Sequence, residues 1–303
     1  MMRIKNLITW SGIVLLGAGA LAVSVGWQAN EPFARAEGHD SRIDLIWGRA
    51  SSPHVRYNIY RTTSPEKPYT KINANPHPVS VYSDFVGENG RTFYYRIKTV
   101  SSTGKERDLT RDPISAETRK MTKEELLTSI QAATFRYFWD YAHPQSGMIK
   151  ERYFDNKGEH ATGGTGFGLL AIMIGVEREF IPRAAGAQRV LQIVKFLEEA
   201  DRYHGAWAHW INGSTGKTIP FFREDNGADL VETALLMQGL LTVRQYFDGG
   251  SFVEKSIRRR ITRLWEEVEW DWFLKDDGSE TLYWHWSPNY GVKINVAVRG
   301  YNE

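Results

Sequence analysis

The sequence contains no cysteine. This absence excludes disulfide bonds, zinc sites built on thiolates and a cysteine nucleophile. It also removes the residue to which the lipid of a bacterial lipoprotein is attached, so we do not expect that kind of anchor.

An excess of charge of either sign is also missing. The chain has 38 basic and 36 acidic residues in 303, a formal net charge of +2. A nucleic-acid-binding domain concentrates positive charge on one face or carries a known motif, and neither is present. We therefore expect no nucleic-acid partner. We also expect no cofactor and no metal, because the histidines show no paired ligand spacing.

Long hydrophobic runs are absent after the N-terminus. Arg3 and Lys5 precede an apolar run over residues 7–26, and the small-x-small site Ala34-Arg35-Ala36 follows it. This order predicts a signal peptide over residues 1–36, cut after Ala36. The run is also long enough to span a bilayer, so an uncleaved N-terminal anchor is the alternative. Both interpretations predict a periplasmic or secreted protein with no other membrane contact.

Residues 40–118 alternate apolar and polar side chains in short runs. Examples are "IDLIWGR", "VRYNIYRTT" and "TFYYRIKTV", which are separated by turns rich in proline and glycine. Short alternating strands at this spacing predict a β-sandwich. With Trp47 in an early strand and Tyr95 in a late one, the segment resembles a fibronectin type III domain. Such domains are usually spacers, and no residue pattern in this one indicates chemistry.

Residues 121–303 have helical periodicity. Thr122 and Glu125 form a capping box, and Leu126 and Ile130 follow it at helical spacing. Further amphipathic helices are predicted over "RAAGAQRVLQIVKFLEEAD", "NGADLVETALLMQGLLTVRQYF" and "FVEKSIRRRITRLWEEVEW". Aromatic loops alternate with helices, an arrangement typical of an α/α toroid whose loops build a cleft at one end.

Three carboxylates lie at the start of the helix predicted over "NGADLVETALLMQGLLTVRQYF". Asp225, Asp229 and Glu232 are spaced four and three residues apart, which predicts a shared face near the helix N-terminus. One interpretation is structural: Asn226 is the N-cap, Asp229 lies at N3, and acids in a first turn favour the helix dipole. Capping does not explain Glu232, and the residues alone leave the structural and functional interpretations about equal.

The flanking loops favour a functional site. Aromatic side chains crowd the segments before and after the acids, and rings beside paired carboxylates are typical of glycoside hydrolases, in which one acid donates a proton and another activates water or attacks. The predicted catalytic residues are Asp229, Glu232, Glu303 and Asp225. The predicted substrate-binding residues are Trp207, His209, Trp210, Phe222, Arg223, Trp284, His285, Trp286 and Tyr290.

Four motifs in this region resemble the glucoamylase-like domain of bacterial β-1,2-glucanases, glycoside hydrolase family 144 and relatives. They are "TGGTGFGLLA", "HWINGSTGKTIPF", "EDNGADLVETALLMQGLLTVRQYF" and "YWHWSPNYG…RGYNE". The resemblance implies an (α/α)6 toroid that cleaves β-1,2-glucan to short sophoro-oligosaccharides, with its important acids at Asp225, Asp229, Glu232 and Glu303. One departure is Val292, which stands where the family motif has an aromatic residue.

The expected fold is therefore multi-domain: a small all-β fibronectin III-like sandwich followed by an all-α (α/α)6 toroid. Because the helical segments are too few for six pairs, we expect the toroid to be incomplete at its C-terminus. Three other functions stay open at this point. They are a catalytically inactive carbohydrate-binding protein, a transglycosylase of the same clan and a polysaccharide lyase.

Overall fold

A computed structural model describes residues 33–48, 55–152, 158–275, 278 and 280–298. Glu303 and most of the predicted signal peptide lie outside these residues. Strands occupy the N-terminal part of the described chain, and helices with short strands between them occupy the rest. Among the described residues, no helix combines the length and apolar character needed to cross a membrane.

The N-terminal part consists of two antiparallel sheets. The first has the order β1-β2-β5, with strands β1 (Ala34–His39), β2 (Arg42–Trp47) and β5 (Val81–Phe85). The second has the order β4-β3-β6-β7, with β8 also paired to β6. Its strands are β3 (Arg56–Thr62), β4 (Thr70–Lys71), β6 (Thr92–Val100), β7 (Glu106–Asp108) and β8 (Ile114–Glu117).

One apolar core joins the two sheets, as the alternating pattern predicts. Alternate residues of β2, β3 and β6 are almost completely buried and contact one another across the gap between the sheets. They are Ile43, Leu45, Trp47, Tyr57, Ile59, Phe93, Tyr95 and Ile97. Each sheet therefore has one buried face and one face left for solvent or for the helical part.

Strand β1 contains the predicted signal-peptide cleavage site. Ala34 pairs with Trp47 and Ala36 with Leu45. Cleavage after Ala36 would remove the first half of this strand and its pairing with β2. The cleavage site stays a prediction.

An ion-pair network attaches the sheets to the first helix. Arg136 donates to Asp44 of β2 at 2.9 Å and to the Ser83 hydroxyl of β5 at 3.1 Å. Arg42 contacts the other oxygen of Asp44 at 3.1 Å. Since the Asp44 side chain is almost completely buried, two guanidinium groups offset the cost of removing its charge from water.

The helical part contains five α-helices in the described residues. They are α1 (Lys123–Trp139), α2 (Thr162–Glu177), α3 (Arg183–Glu199), α4 (Leu230–Tyr246) and α5 (Phe252–Glu266). The short strands between them are β9 (Glu159–Ala161), β10 (Trp210–Asn212), β11 (Thr218–Ile219), β12 (Ala228–Asp229) and β13 (His285–Trp286), and a 3-10 turn spans Trp270–Phe273.

The predicted capping box is confirmed, but the apolar face of α1 is not where the spacing placed it. The Thr122 hydroxyl accepts from the Glu125 N–H, and the Glu125 carboxylate accepts from the Thr122 N–H. Leu126 and Ile130 are exposed, and the helix instead buries Ser129 and Phe135. Periodicity finds the helix, whereas the neighbouring elements decide which side is covered.

The predicted faces of α3 and α5 are buried in the main core. The apolar face of α3 has no exposed surface; it consists of Val190, Ile193, Val194 and Leu197. Ile257, Ile261 and Leu264 of α5 are equally buried. These two faces pack on each other in one core cluster.

Helices α2 and α4 pack with almost no side chain between them. A Cβ added to Gly166 of α2 would lie 2.3 Å from the Leu235 carbonyl oxygen of α4, and one added to Gly239 of α4 would lie 2.3 Å from the Gly166 carbonyl oxygen. Only glycine permits backbones to approach this closely. The contact places the N-termini of the two helices side by side.

We predict that Gly166→Ala lowers the free energy of unfolding, by roughly 1–3 kcal/mol, because the obstructing atoms are backbone and cannot rotate away. Urea unfolding followed by circular dichroism measures the change. Gly164→Ala is the matched control on the same helix, since its Cβ would meet only the Ala161 methyl at 3.1 Å. Equal stability of the two variants would contradict the prediction.

Candidate active site

The two adjacent helix N-termini form the floor of the candidate site. Strand β9 runs directly into α2, and β12 runs directly into α4. Each helix N-terminus presents unpaired N–H groups and a partial positive charge. Acidic side chains gathered here therefore face an environment that favours anions.

Asp229 is the N-cap of α4. Its Oδ1 accepts from the Glu232 N–H at 3.0 Å, and the helix begins at Leu230. The expectation that Asn226 caps the helix and that Asp229 lies at N3 is wrong. Asn226 instead accepts from the Ser287 hydroxyl and donates to Asn289, so it connects two loops.

Two further donors converge on Asp229, whose side chain is 1% exposed. The indole N–H of Trp284 donates to Oδ1 at 2.9 Å. His209 Nδ1 lies 3.2 Å from Oδ2. With the helix N–H, these groups give the carboxylate three hydrogen-bond partners, which hold it in a fixed position.

Asp225 does not lie on the helix. It closes a turn in which its N–H donates to the Phe222 carbonyl and its carbonyl accepts from the Phe221 N–H. The shared helical face predicted for the three acids is therefore wrong for Asp225. The tertiary fold nevertheless brings its carboxylate to the site, where His285 Nε2 lies 3.4 Å from Asp225 Oδ2 and 3.7 Å from Asp229 Oδ2.

Burial raises the pKa of Asp225. The charge of His285 opposes this shift, and the negative charge of Asp229 adds to it. Asp225 and Asp229 therefore form a close pair in which a second negative charge is disfavoured.

Glu232 reaches across to the neighbouring helix. Its Oε2 accepts from the Gly163 N–H of α2 at 2.6 Å. The N-cap residue of α2, Ala161, has no side-chain oxygen that could accept from the helix N–H groups. Glu232 therefore supplies the acceptor for the Gly163 N–H. Burial raises the pKa of Glu232, and the charge of His209 and the Gly163 bond oppose the increase.

His209 lies between the acids. Burial lowers its pKa, but the hydrogen bond with Asp229 and the charges of Glu232 and Asp229 outweigh burial and raise the pKa above the ordinary value. The site therefore holds a carboxyl group that tends to keep its proton beside an imidazole that tends to be charged. Groups whose environments shift their pKa values in this way are common at catalytic sites.

Two phenylalanines and one tryptophan form a wall beside His209. The Phe221 ring lies 4.6 Å from the His209 ring and 4.6 Å from the Trp210 ring, measured between centroids. Phe221 and Phe222 are 45% and 46% exposed. Exposed rings next to buried carboxylates leave an apolar surface at the mouth of the site.

The other predicted binding residues lie in different places. Trp284 and His285 stack on each other with planes 4° apart, and both contact Asp229. Arg223 donates to the Tyr290 hydroxyl at 2.9 Å, an exposed pair at the rim. Trp286 points away from the acids and contacts His204.

Trp207 does not line the site. Its side chain is completely buried, and its indole N–H donates to the Leu197 carbonyl at 3.2 Å. The expectation that it stacks on substrate does not hold, since no face of the ring is accessible. Glu303 lies outside the described residues, so its place in the site stays a prediction.

Three residues of the site were not among the predicted ones. Gly163 supplies the N–H that Glu232 accepts, and Phe221 contacts both His209 and Trp210. Glu151 is close enough for its charge to raise the pKa of His209 and of Glu232. Phe221 stood out in the aromatic loop, but nothing in the residues around Glu151 distinguishes it from an ordinary surface acid.

Asp225, Asp229 and His285 could hold a metal ion. Each offers one oxygen or nitrogen atom, and these atoms lie within 4.8 Å of one another. Two carboxylates and one imidazole are a ligand set that several divalent cations accept. The His285 imidazole already lies between the two carboxylates, with Nε2 at 3.4 Å from Asp225 and 3.7 Å from Asp229, so the geometry does not require an ion.

Comparison with known proteins finds relatives whose names describe action on β-1,2-linked glucans. No family model matches the chain. It is 42% identical over 294 residues to an exo beta-1,2-glucooligosaccharide sophorohydrolase (non-reducing end) of Parabacteroides distasonis, an alignment that takes in 96% of this chain and 40% of the relative. The chain thus spans about two fifths of the length of this curated relative.

Solved structures agree with the sequence comparison. The crystal structure of a beta-1,2-glucanase from Parabacteroides distasonis superposes with a TM-score of 0.82 at 42% identity, over 90% of this chain and 39% of that one. An endo-beta-1,2-glucanase from Chitinophaga pinensis, in complex with sophorotriose and glucose, gives 0.56 at 46% identity over 60% of this chain and 45% of that one. The resemblance to bacterial β-1,2-glucanases is confirmed.

We predict that Glu232→Gln stabilises the protein at neutral pH. Because burial raises the pKa of Glu232 in the folded state, folding opposes its ionisation. At about pH 3 the carboxyl is neutral in both states and no penalty exists. As the pH rises through the pKa that Glu232 has in the unfolded state, the wild type loses stability. The loss is complete above the pKa that it has in the folded state. The glutamine avoids this loss and can still accept from Gly163.

The free energy of unfolding of both proteins, measured from about pH 3 to about pH 7, tests the prediction. The free energy of unfolding of the variant should increase relative to that of the wild type as the pH rises. A difference that is constant with pH, or that grows in the opposite direction, would contradict it.

Proposed function

We propose that this chain is a glycoside hydrolase that acts on β-1,2-glucan or a related β-glucan and releases short sophoro-oligosaccharides. The observation that carries the proposal is the group of three buried or half-buried acids, Asp225, Asp229 and Glu232, with His209 at the paired N-termini of α2 and α4. The relatives named above act on this linkage, and the exposed rings of Phe221 and Phe222 suit the C–H faces of sugars.

Glycosidic cleavage needs an acid that holds a proton and a carboxylate that does not. Glu232 fits the first role, since burial raises its pKa, and it would protonate the glycosidic oxygen of the leaving sugar. Asp229 fits the second, because three hydrogen-bond partners hold its buried carboxylate in a fixed position beside Glu232 and His209. It would activate water or stabilise the positive charge that develops on the sugar ring. Asp225 would hold the His285 imidazole in position beside Asp229. Glu303 remains a further candidate acid.

The same proposal includes a finer description of the fold. The order β1-β2-β5 opposite β4-β3-β6-β7 supports a fibronectin type III-like sandwich. In the helical part, α2 and α4 lie together with their N-termini at the site, and α1, α3 and α5 pack outside them. This alternation supports the N-terminal part of an (α/α)6 toroid.

An apolar groove along α4 is consistent with the position of this helix in a toroid. Leu230, Met237 and Leu241 line it, together with Trp265 of α5 and Leu282. A neighbouring helix covers such a face in a closed ring of helices.

The N-terminal signal supports a periplasmic or secreted location. Determination of the N-terminal sequence of the protein recovered from cells would test it. A mature chain that starts near residue 33 would keep β1 intact, and an uncleaved chain found in the membrane fraction would favour the anchor.

We predict that Asp229→Asn and Glu232→Gln each lower the hydrolysis rate of linear β-1,2-glucan by at least about 100-fold, the usual scale of general acid–base catalysis. Reducing ends and product sizes are measured. Both amides keep the shape of the side chain, and asparagine remains a good N-cap.

Glu224→Gln is the matched control. This neighbouring acid pairs with Lys293 at 3.2 Å and makes no bond to Asp225, Asp229, Glu232 or His209 in the described residues, so the rate should be unchanged. Wild-type rates in the Asp229 and Glu232 variants would contradict the proposed roles. Binding of glucan by the wild type without any product would favour a binding function instead.

A further inference from the structure

A second cleft lies behind the ribbon formed by β12 and β13. His285 of β13 faces the acids, whereas its neighbour Trp286 faces the other way, because adjacent residues of a strand point to opposite sides. The cleft has a volume of about 610 Å³ and is lined by Glu269, Asp271, Trp272, Phe273, Leu274, Tyr283, Trp286 and Val292. This volume is within the range of small-molecule sites in proteins.

His204 organises the aromatic side of the cleft. Its ring stacks on Trp272 with centroids 3.9 Å apart and planes at 12°, and it meets Trp286 edge-on at 5.0 Å. Its Nδ1 lies 2.9 Å from Glu269 Oε2. One imidazole therefore fixes two indole rings and one carboxylate in place.

The backbone that presents His204 is strained. Its φ is +51°, in the left-handed region that side chains other than glycine rarely adopt. At the next residue, Gly205, φ is +80°, and an added Cβ would lie 2.0 Å from the Glu267 carbonyl oxygen. Strain of this kind is retained where the surroundings hold it, and it is common at binding sites.

Trp272 offers an open platform. It is 53% exposed, and since His204 covers one face of the ring, the exposed surface includes the other face. The carboxylate of Glu269, whose side chain is 59% exposed, and that of Asp271 lie beside it and can accept hydrogen bonds. An aromatic face beside hydrogen-bond acceptors matches a sugar, which has C–H faces and hydroxyl donors.

The charges of the cleft disfavour other common ligands. In the described part of the chain, no lysine or arginine is among the residues that line it. Lys275, whose ammonium lies 4.2 Å from the centre of the Tyr283 ring, is buried and already bonds to Asn295. A phosphate or another anion in the cleft would therefore meet the two carboxylates first. A neutral polyhydroxyl compound avoids that repulsion.

We propose that this cleft is a second carbohydrate-binding site, separate from the acids, that takes glucose units of a β-glucan with Trp272 as the stacking platform and Glu269 and Asp271 as hydroxyl acceptors. The inference rests on the proposed function, since it takes the same polymer as ligand. It assigns to Trp286 a role in this cleft and not beside the catalytic residues.

Calorimetry with sophoro-oligosaccharides of increasing length tests the proposal in the full chain carrying Asp229→Asn, in which turnover is expected to be slow. Adding Trp272→Ala should weaken binding of the longer oligosaccharides about tenfold, the scale expected when an aromatic anchor is truncated. Glu269→Gln is a second variant, which keeps the side-chain shape, and it should lower the affinity by a smaller factor.

Phe252→Ala is the control, because this ring is 82% exposed at the start of α5 and touches neither site. It should leave every affinity unchanged. Unchanged affinities in the Trp272 and Glu269 variants at every length would overturn the inference. So would choline binding that is lost with Trp272, because aromatic rings and carboxylates also suit a cation.

A hydrolysis assay separates this inference from the proposed function. In the chain with Asp229 intact, Trp272→Ala should still cleave short oligosaccharides at the wild-type rate. If the wild type cleaves glucan but Trp272→Ala binds as tightly, only the second site is wrong. If the wild type neither binds nor cleaves any β-glucan, the proposed function is wrong and the second site with it.

Discussion

The close packing of α2 on α4 is the constraint on which the site depends. Gly166 and Gly239 let the two backbones touch, and a side chain at either position would force the helices apart. Because the helices touch, Glu232 of α4 can accept from the Gly163 N–H of α2. The acidic group is therefore assembled from two helix N-termini, and its geometry is set by glycines one to two turns further along the same helices.

The buried acids that make the site reactive also lower the stability of the fold. Burial raises the pKa of Asp225 and of Glu232, so both carboxyl groups oppose folding when they ionise. His209 and His285, together with the helix N-termini, reduce that cost without removing it. A protein selected for stability alone would place apolar side chains here, and the retained acids are a further reason to regard the site as functional.

The loops around the helices separate two environments. On one side of the β12–β13 ribbon, His285 and Trp284 contact Asp229. On the other side, Trp286 belongs to the cleft organised by His204. A two-residue strand is enough for this division, because its adjacent side chains point in opposite directions. In the part of the chain that the structure describes, the N-terminal sheets contribute no residue to either environment, and they are held to α1 through Asp44 and Arg136.

Local patterns determined much of this protein in advance. Alternation identified the strands whose inward residues form the β core, and helical periodicity identified the buried faces of α3 and α5. The capping box at Thr122 depends on residues three apart, so the sequence specified it completely. The three acids were recognised as a group because their spacing and their aromatic neighbours are unusual for a solvated helix.

The tertiary structure alone decided how those acids are arranged. Asp225 joins the site from a turn, Asp229 caps the helix in place of Asn226, and Glu232 pairs with a backbone N–H of α2. Trp207 is buried, Trp286 faces a second cleft, and Glu151 comes near although it is 74 residues before Asp225 in the sequence. Periodicity describes one element at a time, whereas burial and hydrogen bonding depend on which elements pack against it.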